Sequence, residues 1–379
     1  MEKLVWKDSL KINLFVLRLL GLWPRGDKVY TFDLYTVYAV FVITCFLSAH
    51  TLSQVLNIFV VYSDLQNLSE TIFITVTNVL NLVKIYYFIK NTKTLKQLIE
   101  ILRSDMFQAT PLQIKIVQPD LIFLKNVTLV LAGTVGSCLT FWCSFPLLDS
   151  SSRGNRLPFL SWYPFDTTTS PGYELTYLHQ VISIWALAAS NLNLDTLISG
   201  LMMLIGAQCD ILCDNLRNIK AERFSQEFVK CILHHKAILK FSEKSNEFFN
   251  MIAFGQFFTS AACIAMTLFR LTVVSPMSSE FSSLTFYLGA AIQEIFLYCW
   301  FGNEIEIKSS QIGYAVFESD WTAASLSAQK SMVIFVLRCQ KPIKMSAFKL
   351  VYLTLETYVA ILRASWSYFA VLNKINTPE

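Results

Sequence analysis

The sequence predicts an all-α membrane protein of seven spanning helices, N-terminus cytoplasmic and C-terminus extracellular, and three observations predict it. Of 379 residues 54% are apolar and only 15% charged, against roughly 25% charged in soluble domains. About 20 apolar residues cross a bilayer core as a helix, and seven stretches nearly free of charge approach or exceed that length, at residues 34–63, 71–89, 126–148, 175–209, 248–274, 281–303 and 346–373. Lys and Arg are also one-sided: with the N-terminus inside, 24 of the 31 fall in cytoplasmic segments, 3 in outer segments and 4 within spans. Positive loops are retained in the cytoplasm, so this distribution sets the orientation. It excludes the topology of G-protein-coupled receptors, whose N-terminus is outside, and the composition excludes a water-soluble globule.

The elements follow in order. Residues 1–33 read as a cytoplasmic segment with a surface helix: Ile12, Phe15, Val16, Leu19 and Leu20 recur at helical spacing with Lys11 and Arg18 elsewhere on the wheel, and Pro24 ends it. Arg18 interrupts the apolar run, so a cleavable signal peptide is not expected. Span one carries His50, for which a hydrogen-bonded structural role is expected, and span two is broken by Lys84. Between them Asn67-Leu68-Ser69 is a glycosylation sequon in the first outer loop, whereas Asn126-Val127-Thr128 would be cytoplasmic and unused. The outer loop 149–174, DSSSRGNRLPFLSWYPFDTTTSPGYE, joins three prolines to aromatics and turn formers and reads as an ordered lid or as turn chemistry alone.

The fourth apolar stretch is about 35 residues, roughly 50 Å as a helix, so it must continue beyond a core of about 30 Å. Asp195, some 30 Å from its outer end, is expected at the inner interface, and His179 beside the lid is expected to fasten it by a hydrogen bond. Segments 210–250 and 304–345 mix charge with apolar residues such as Phe228, Phe241 and Phe335, as suits helices packing below the membrane. The chain shows no linker, internal repeat or second domain. In the last span Lys349, Glu356, Arg363, Ser367, Val371 and Lys374 share a face about 80° wide at 100° per residue. Charges there disfavour lipid, which leaves salt bridges within one subunit or a face along an aqueous path.

Chemistry is scarce. The sequence has no phosphate loop, metalloprotease helix or nucleophile elbow, and an enzyme is not expected. Nine cysteines are an odd number within apolar or cytoplasmic segments, so no disulfide framework is expected, and Cys209 and Cys213 lack neighbours for a metal site. In the outer halves of the spans lie Phe73 and Val76, then Cys138, Phe141, Trp142 and Phe145, then Ile182 and Trp185, then Tyr287. These are either ordinary helix packing or the lining of an apolar cavity for a small volatile ligand.

With these pieces in view the chain resembles the insect odorant receptors. The resemblance is carried by Gly21-Leu-Trp-Pro24, Leu157-Pro-Phe-Leu-Ser-Trp-Tyr-Pro-Phe-Asp166, Tyr177-Leu-His-Gln180, Tyr298-Cys-Trp-Phe-Gly-Asn-Glu304, the Ala315 to Trp321 stretch and Ser367-Tyr-Phe-Ala-Val-Leu372, in the family's order over nearly the whole chain. It implies a ligand-gated cation channel in the plasma membrane of sensory neurons, assembled as a heterotetramer with the odorant co-receptor, with a small volatile organic ligand, a lipid environment, no cofactor and no nucleic-acid partner. It further implies an anchor domain of the inner helical ends, segment 304–345 among them, a pore helix in 346–373 with the gate at Val371, and a pocket among the second to sixth spans where the aromatic set lies. Two features depart from the family pattern. Arg363 and Lys374 place positive charge on a cation-passing face, and Phe317 stands where tyrosine is common. A transporter and a gustatory-type channel acting without the co-receptor are the other readings; the missing repeats disfavour the first and the lid motif the second.

Overall fold

The computed structural model describes residues 10–24, 33–62, 65–148, 156–276 and 278–376, and these are mostly helical. In order they form α1 (Lys11–Leu19), α2 (Leu34–Val42), α3 (Ala49–Val61), α4 (Leu65–Lys90), α5 (Thr92–Arg103), α6 (Pro111–Leu148), α7 (Gly172–Arg217), α8 (Phe224–Val273), α9 (Ser279–Phe317), α10 (Leu326–Cys339) and α11 (Leu355–Asn376). A π-helical stretch, Ile43–Ser48, joins α2 to α3 in one span. Six helical stretches among the described residues are long and apolar enough to cross a membrane, from Leu34–Val61 to Glu280–Phe317. The seventh span is α11, whose 22 residues reach about 33 Å.

Local chemistry sets the helix ends. Asp33 caps α2 by accepting from the Thr36 amide at 2.8 Å. Thr110 and Gln113 form a reciprocal capping box ahead of α6, amide to side chain in both directions at 3.0 and 3.3 Å, with Pro111 at the first helical position. At the end of α1, Gly21 at φ 77° lets its amide reach the Arg18 carbonyl and the Leu22 amide reach that of Leu17. This is a Schellman close. A side chain at Gly21 would come within 2.7 Å of the Ala39 backbone, and the turn delivers Trp23 onto Phe88 at 6.2 Å between ring centres.

The core is organised around α7, buried without interruption from residue 193 to residue 209 and packed against α9, α6, α8 and α1. Helices α7, α8 and α9 have 46, 50 and 39 residues. At roughly 69, 75 and 58 Å each outruns the bilayer core. Away from the lid their ends pack with α10 and Trp321. Lys308 there bridges Asp120 and Asp210, and the Phe335 ring meets Phe228 and His235 at 5.4 and 5.2 Å.

Two expectations are revised. The surface helix uses both faces: Leu10, Leu14 and Leu17 are buried, with the Asn13 amide donating to Thr196 at 2.6 Å, whereas Ile12, Phe15 and Leu19 of the apolar stripe stay exposed. The last span begins at Leu355 rather than 346. Residues Ser346–Ala347 and Val351–Tyr352 pair as a small hairpin, with Phe348 and Lys349 in the left-handed region at its turn. Thr354 then caps α11 through the Thr357 amide, so Lys349 is off the helix and the polar stripe starts at Glu356.

Candidate ligand-binding site

The lid is held by α7 and span one. Gln180 is buried and bonds Phe159 on both sides, accepting from its amide at 3.1 Å and donating to its carbonyl at 3.0 Å. The Trp162 amide donates to the Ser53 carbonyl at 3.0 Å, and Tyr173 donates to the Arg156 carbonyl at 3.1 Å. Among the described residues His179 bonds span one and not the lid: its Nε2 reaches the Cys45 carbonyl, in the π-helical stretch, at 2.8 Å. The expected hydrogen bond of His50 is also not found; its ring packs edge-on against Phe159 and His179, and neither nitrogen has a partner among the described residues. Asp166 closes an Asx turn, accepting from the Thr168 amide and hydroxyl and the Thr169 hydroxyl, which holds its carboxyl below the usual range.

Beneath the lid Phe73, Trp142, Phe159 and Tyr287 gather into one aromatic cluster, with the Trp142 ring 6.3, 5.8 and 5.7 Å from the other three and Phe73 5.3 Å from Tyr287. Trp142 and Ile74 stand between two cavities and line both. The one nearer the lid, about 140 Å³, is bounded by lid residues Arg156 to Leu160, by Phe73 and by the Arg270–Glu280 ion pair at 2.5 Å. The deeper one, about 100 Å³, has apolar walls from Val135, Cys138, Leu139, Ile184, Ala188 and Ala290. Its volume is of the order of engineered cavities that take up benzene.

The deeper cavity also has polar lining that sequence reading did not assign to it: Asn81, Asn191, Gln256, Ser260 and Glu294. The Glu294 carboxylate accepts from Asn191 at 2.7 Å and Gln256 at 2.8 Å. Asn191 accepts in turn from Lys84 at 2.7 Å, and Lys84 pairs with Asp195 at 2.7 Å, where Tyr298 also donates. The signal was present as three charges, Lys84, Asp195 and Glu294, each interrupting a different apolar span. Charges inside a membrane find partners. Asp195, expected at the inner interface, is fully buried in this pair within the bundle.

Of the sequence-proposed residues, Cys138, Trp142 and Tyr287 line the deeper cavity and Phe73 and Trp142 the shallower. Val76, Phe141, Ile182 and Trp185 line neither and lie exposed on the bundle. On α7 the cavity takes Ile184, Leu187, Ala188 and Asn191. That face is set by the helical period, and Ile182 lies roughly 200° around the axis from Ile184. The Phe145 side chain is outside the described residues. Arg363, Ser367, Val371 and Lys374 are exposed on α11.

The model of a family described as 7tm Odorant receptor matches residues 64–366. Odorant receptor Or1 of Anopheles gambiae is 25% identical, over 98% of this chain and 96% of its own. Odorant receptor 9a of Drosophila melanogaster is 24% identical over 97% and 96%. Among solved structures, the olfactory receptor OR5 of Machilis hrabei in complex with eugenol superposes with a TM-score of 0.85 at 20% identity, covering 98% of each chain.

Proposed function

Since the chain belongs to the seven-transmembrane odorant receptor family, we propose that it is the ligand-tuning subunit of an odorant-gated, non-selective cation channel formed with the odorant co-receptor. In this reading the whole chain is one membrane domain in the plasma membrane of sensory neurons. Its N-terminus is cytoplasmic, as the distribution of Lys and Arg favours, and a small volatile ligand occupies the cavities under the lid. Binding is mainly apolar burial, roughly 25 cal/mol per Å², with shape deciding selectivity.

One observation carries the reading: α9 walls the cavity on one stretch and seats α11 on the next. Tyr287 and Glu294 line the cavity. Two residues on, the Phe296 ring meets Tyr358 of α11 at 5.7 Å, and a Cβ on Gly302 would lie 2.3 Å from the Leu353 carbonyl oxygen, just ahead of α11. A ligand that fits better when α9 has shifted therefore biases α11, and differential affinity drives opening. Arg363, Ser367, Val371 and Lys374 form the pore face in this account, with Val371 at the constriction.

Whole-cell current under an odorant panel tests it, in cells expressing this chain alone, with the co-receptor, and the co-receptor alone. Odorant-evoked cation current in the paired cells alone, unaffected by G-protein blockade, is expected. Robust current from the chain by itself contradicts the subunit assignment, and an unchanged dose-response in Trp142→Ala contradicts the pocket.

A further inference from the structure

Apolar burial does not account for the polar lining of the deeper cavity. Gln256 turns its Nε2 toward Glu294, at 2.8 Å, and toward the Ser260 hydroxyl, at 2.9 Å. In that orientation both amide hydrogens are used. Gln256 Oε1 is thereby left buried with no hydrogen-bond partner among the described residues.

Asn81 repeats the pattern from α4. Its Nδ2 donates to the Leu187 carbonyl at 2.7 Å and to Ser190 Oγ at 2.9 Å, while the Ser190 hydroxyl donates to the same carbonyl at 2.8 Å. The carbonyl pins the amide group, and Asn81 Oδ1 is buried without a partner. Both residues line the cavity and are 3% and 2% exposed. An unmatched buried acceptor is costly, and native proteins keep few of them.

Some neighbouring donors are already used: the Thr77 and Tyr287 hydroxyls bond each other at 2.6 Å, and Asn78 Nδ2 donates to Gln54 Oε1 at 2.8 Å. Two acceptors of the polar lining are thus left unmatched, beneath an apolar wall that includes Leu139, Trp142 and Ile184.

We infer that the deeper cavity selects neutral hydroxyl-bearing ligands, small alcohols and phenols, over acceptor-only molecules of the same shape, through Gln256 Oε1 and Asn81 Oδ1. An ether or ketone oxygen gives up its water and leaves both acceptors unmatched. A hydroxyl gives up its water and donates. Sites built around an unpaired polar group discriminate in this way far more than apolar walls do. The inference rests on the cavity being the odorant site.

Thermal stabilisation of the purified complex with the co-receptor reads binding whether a ligand opens or blocks the channel. Two shape-matched pairs serve as probes, cyclohexanol with cyclohexanone and n-pentanol with butyl methyl ether. The alcohol of each pair is expected to give half-maximal stabilisation at about tenfold lower concentration. Gln256→Met and Asn81→Leu are expected to shrink that ratio toward one while the complex still folds and binds the ketone. Equal potency within both pairs in the unaltered complex overturns the inference and needs no variant. Trp142→Ala separates the two claims: if it weakens both members of a pair that are equally potent, the pocket stands and the donor preference fails, and if it weakens neither, the pocket itself fails.

Discussion

Helices α7 and α11 both traverse the membrane with polar side chains set in apolar sequence, and they handle them in opposite ways. In α7 the polar groups find partners inside the chain. Asn193, Thr196 and Ser199 donate to carbonyls one turn back at 2.7 to 2.8 Å, Asn191 joins Lys84 to Glu294, and Asp195 pairs with Lys84, both side chains fully buried. In α11 the strip formed by Tyr358, Ile361, Leu362 and Ser365 packs inward. Arg363, Ser367 and Lys374 are exposed, and Val371 is 58% exposed. Ser367 turns its hydroxyl back to the Arg363 carbonyl at 3.0 Å, and among the described residues neither Arg363 nor Lys374 enters an ion pair of this chain. Lipid is a poor neighbour for such a face, since a central charge costs about 2.5 to 3.5 kcal/mol on insertion scales. The polar groups of α7 serve the fold of this chain, whereas Arg363 and Lys374 of α11 enter no ion pair among its described residues.

The sharpest way to break this contrast is at the buried pair. Lys84→Met leaves Asp195 buried without its counter-charge, with the Tyr298 hydroxyl still donating to it, which is expected to cost about 3 to 5 kcal/mol. Thermal unfolding in detergent and surface labelling read the loss, and adding Asp195→Leu is expected to recover part of it. A single variant as stable as the unaltered chain would contradict the view of α7 as a helix whose charge is settled internally.

A smaller effect is expected where α9 meets the segment leading into α11. Gly302→Ala sets a methyl group 2.3 Å from the Leu353 carbonyl oxygen. Overpacking of this kind costs about 1 to 3 kcal/mol, and its consequence is expected in the maximal odorant-evoked current more than in the half-maximal concentration. On α11 itself Arg363→Gln is expected to leave stability within about 0.5 kcal/mol while changing cation current or selectivity. Unfolding temperature and reversal potential, measured on the same variant, separate the two.

The lid gives the smallest effect, and one of known sign. The carboxyl of Asp166 is lowered by the backbone amide of Thr168 and by the Thr168 and Thr169 hydroxyls. A depressed folded-state pKa stabilises the turn above the ordinary carboxylate range and loses that stabilisation as pH falls through the lowered value. The protection factor of the Thr168 amide, its exchange relative to an unstructured amide at the same pH, is expected to be constant through neutral pH and to fall only in acid below the usual carboxylate range. A protection factor that falls near neutrality would contradict the turn.

Much of this was legible in the chain because apolar length and charge-free runs are local properties. The spans, the long α7 and the amphipathic α8 to α10 needed no tertiary knowledge. The last span illustrates the limit: apolar content extends it to residue 346, but backbone pairing of Ser346–Ala347 with Val351–Tyr352 ends the helical spacing at Thr354. The cavity was half legible. Cys138, Trp142 and Tyr287 fall on it, whereas Ile182 and Trp185 miss it because choosing which face of α7 looks inward requires its neighbours. Gln256 and Asn81 were invisible for the same reason, since an amide in an apolar span reads alike whether paired or not.

Thiol accessibility tests the central contrast most directly. Val371→Cys on α11 and Ser199→Cys on buried α7 are compared in the complex with the co-receptor, against the unsubstituted chain, whose nine cysteines are all buried or half-buried. A positively charged methanethiosulfonate applied during odorant-evoked current is expected to block the Val371→Cys channel irreversibly and to spare Ser199→Cys. A Val371→Cys channel that conducts unchanged after treatment, with or without odorant, would show that the exposed face of α11 does not border the ion path.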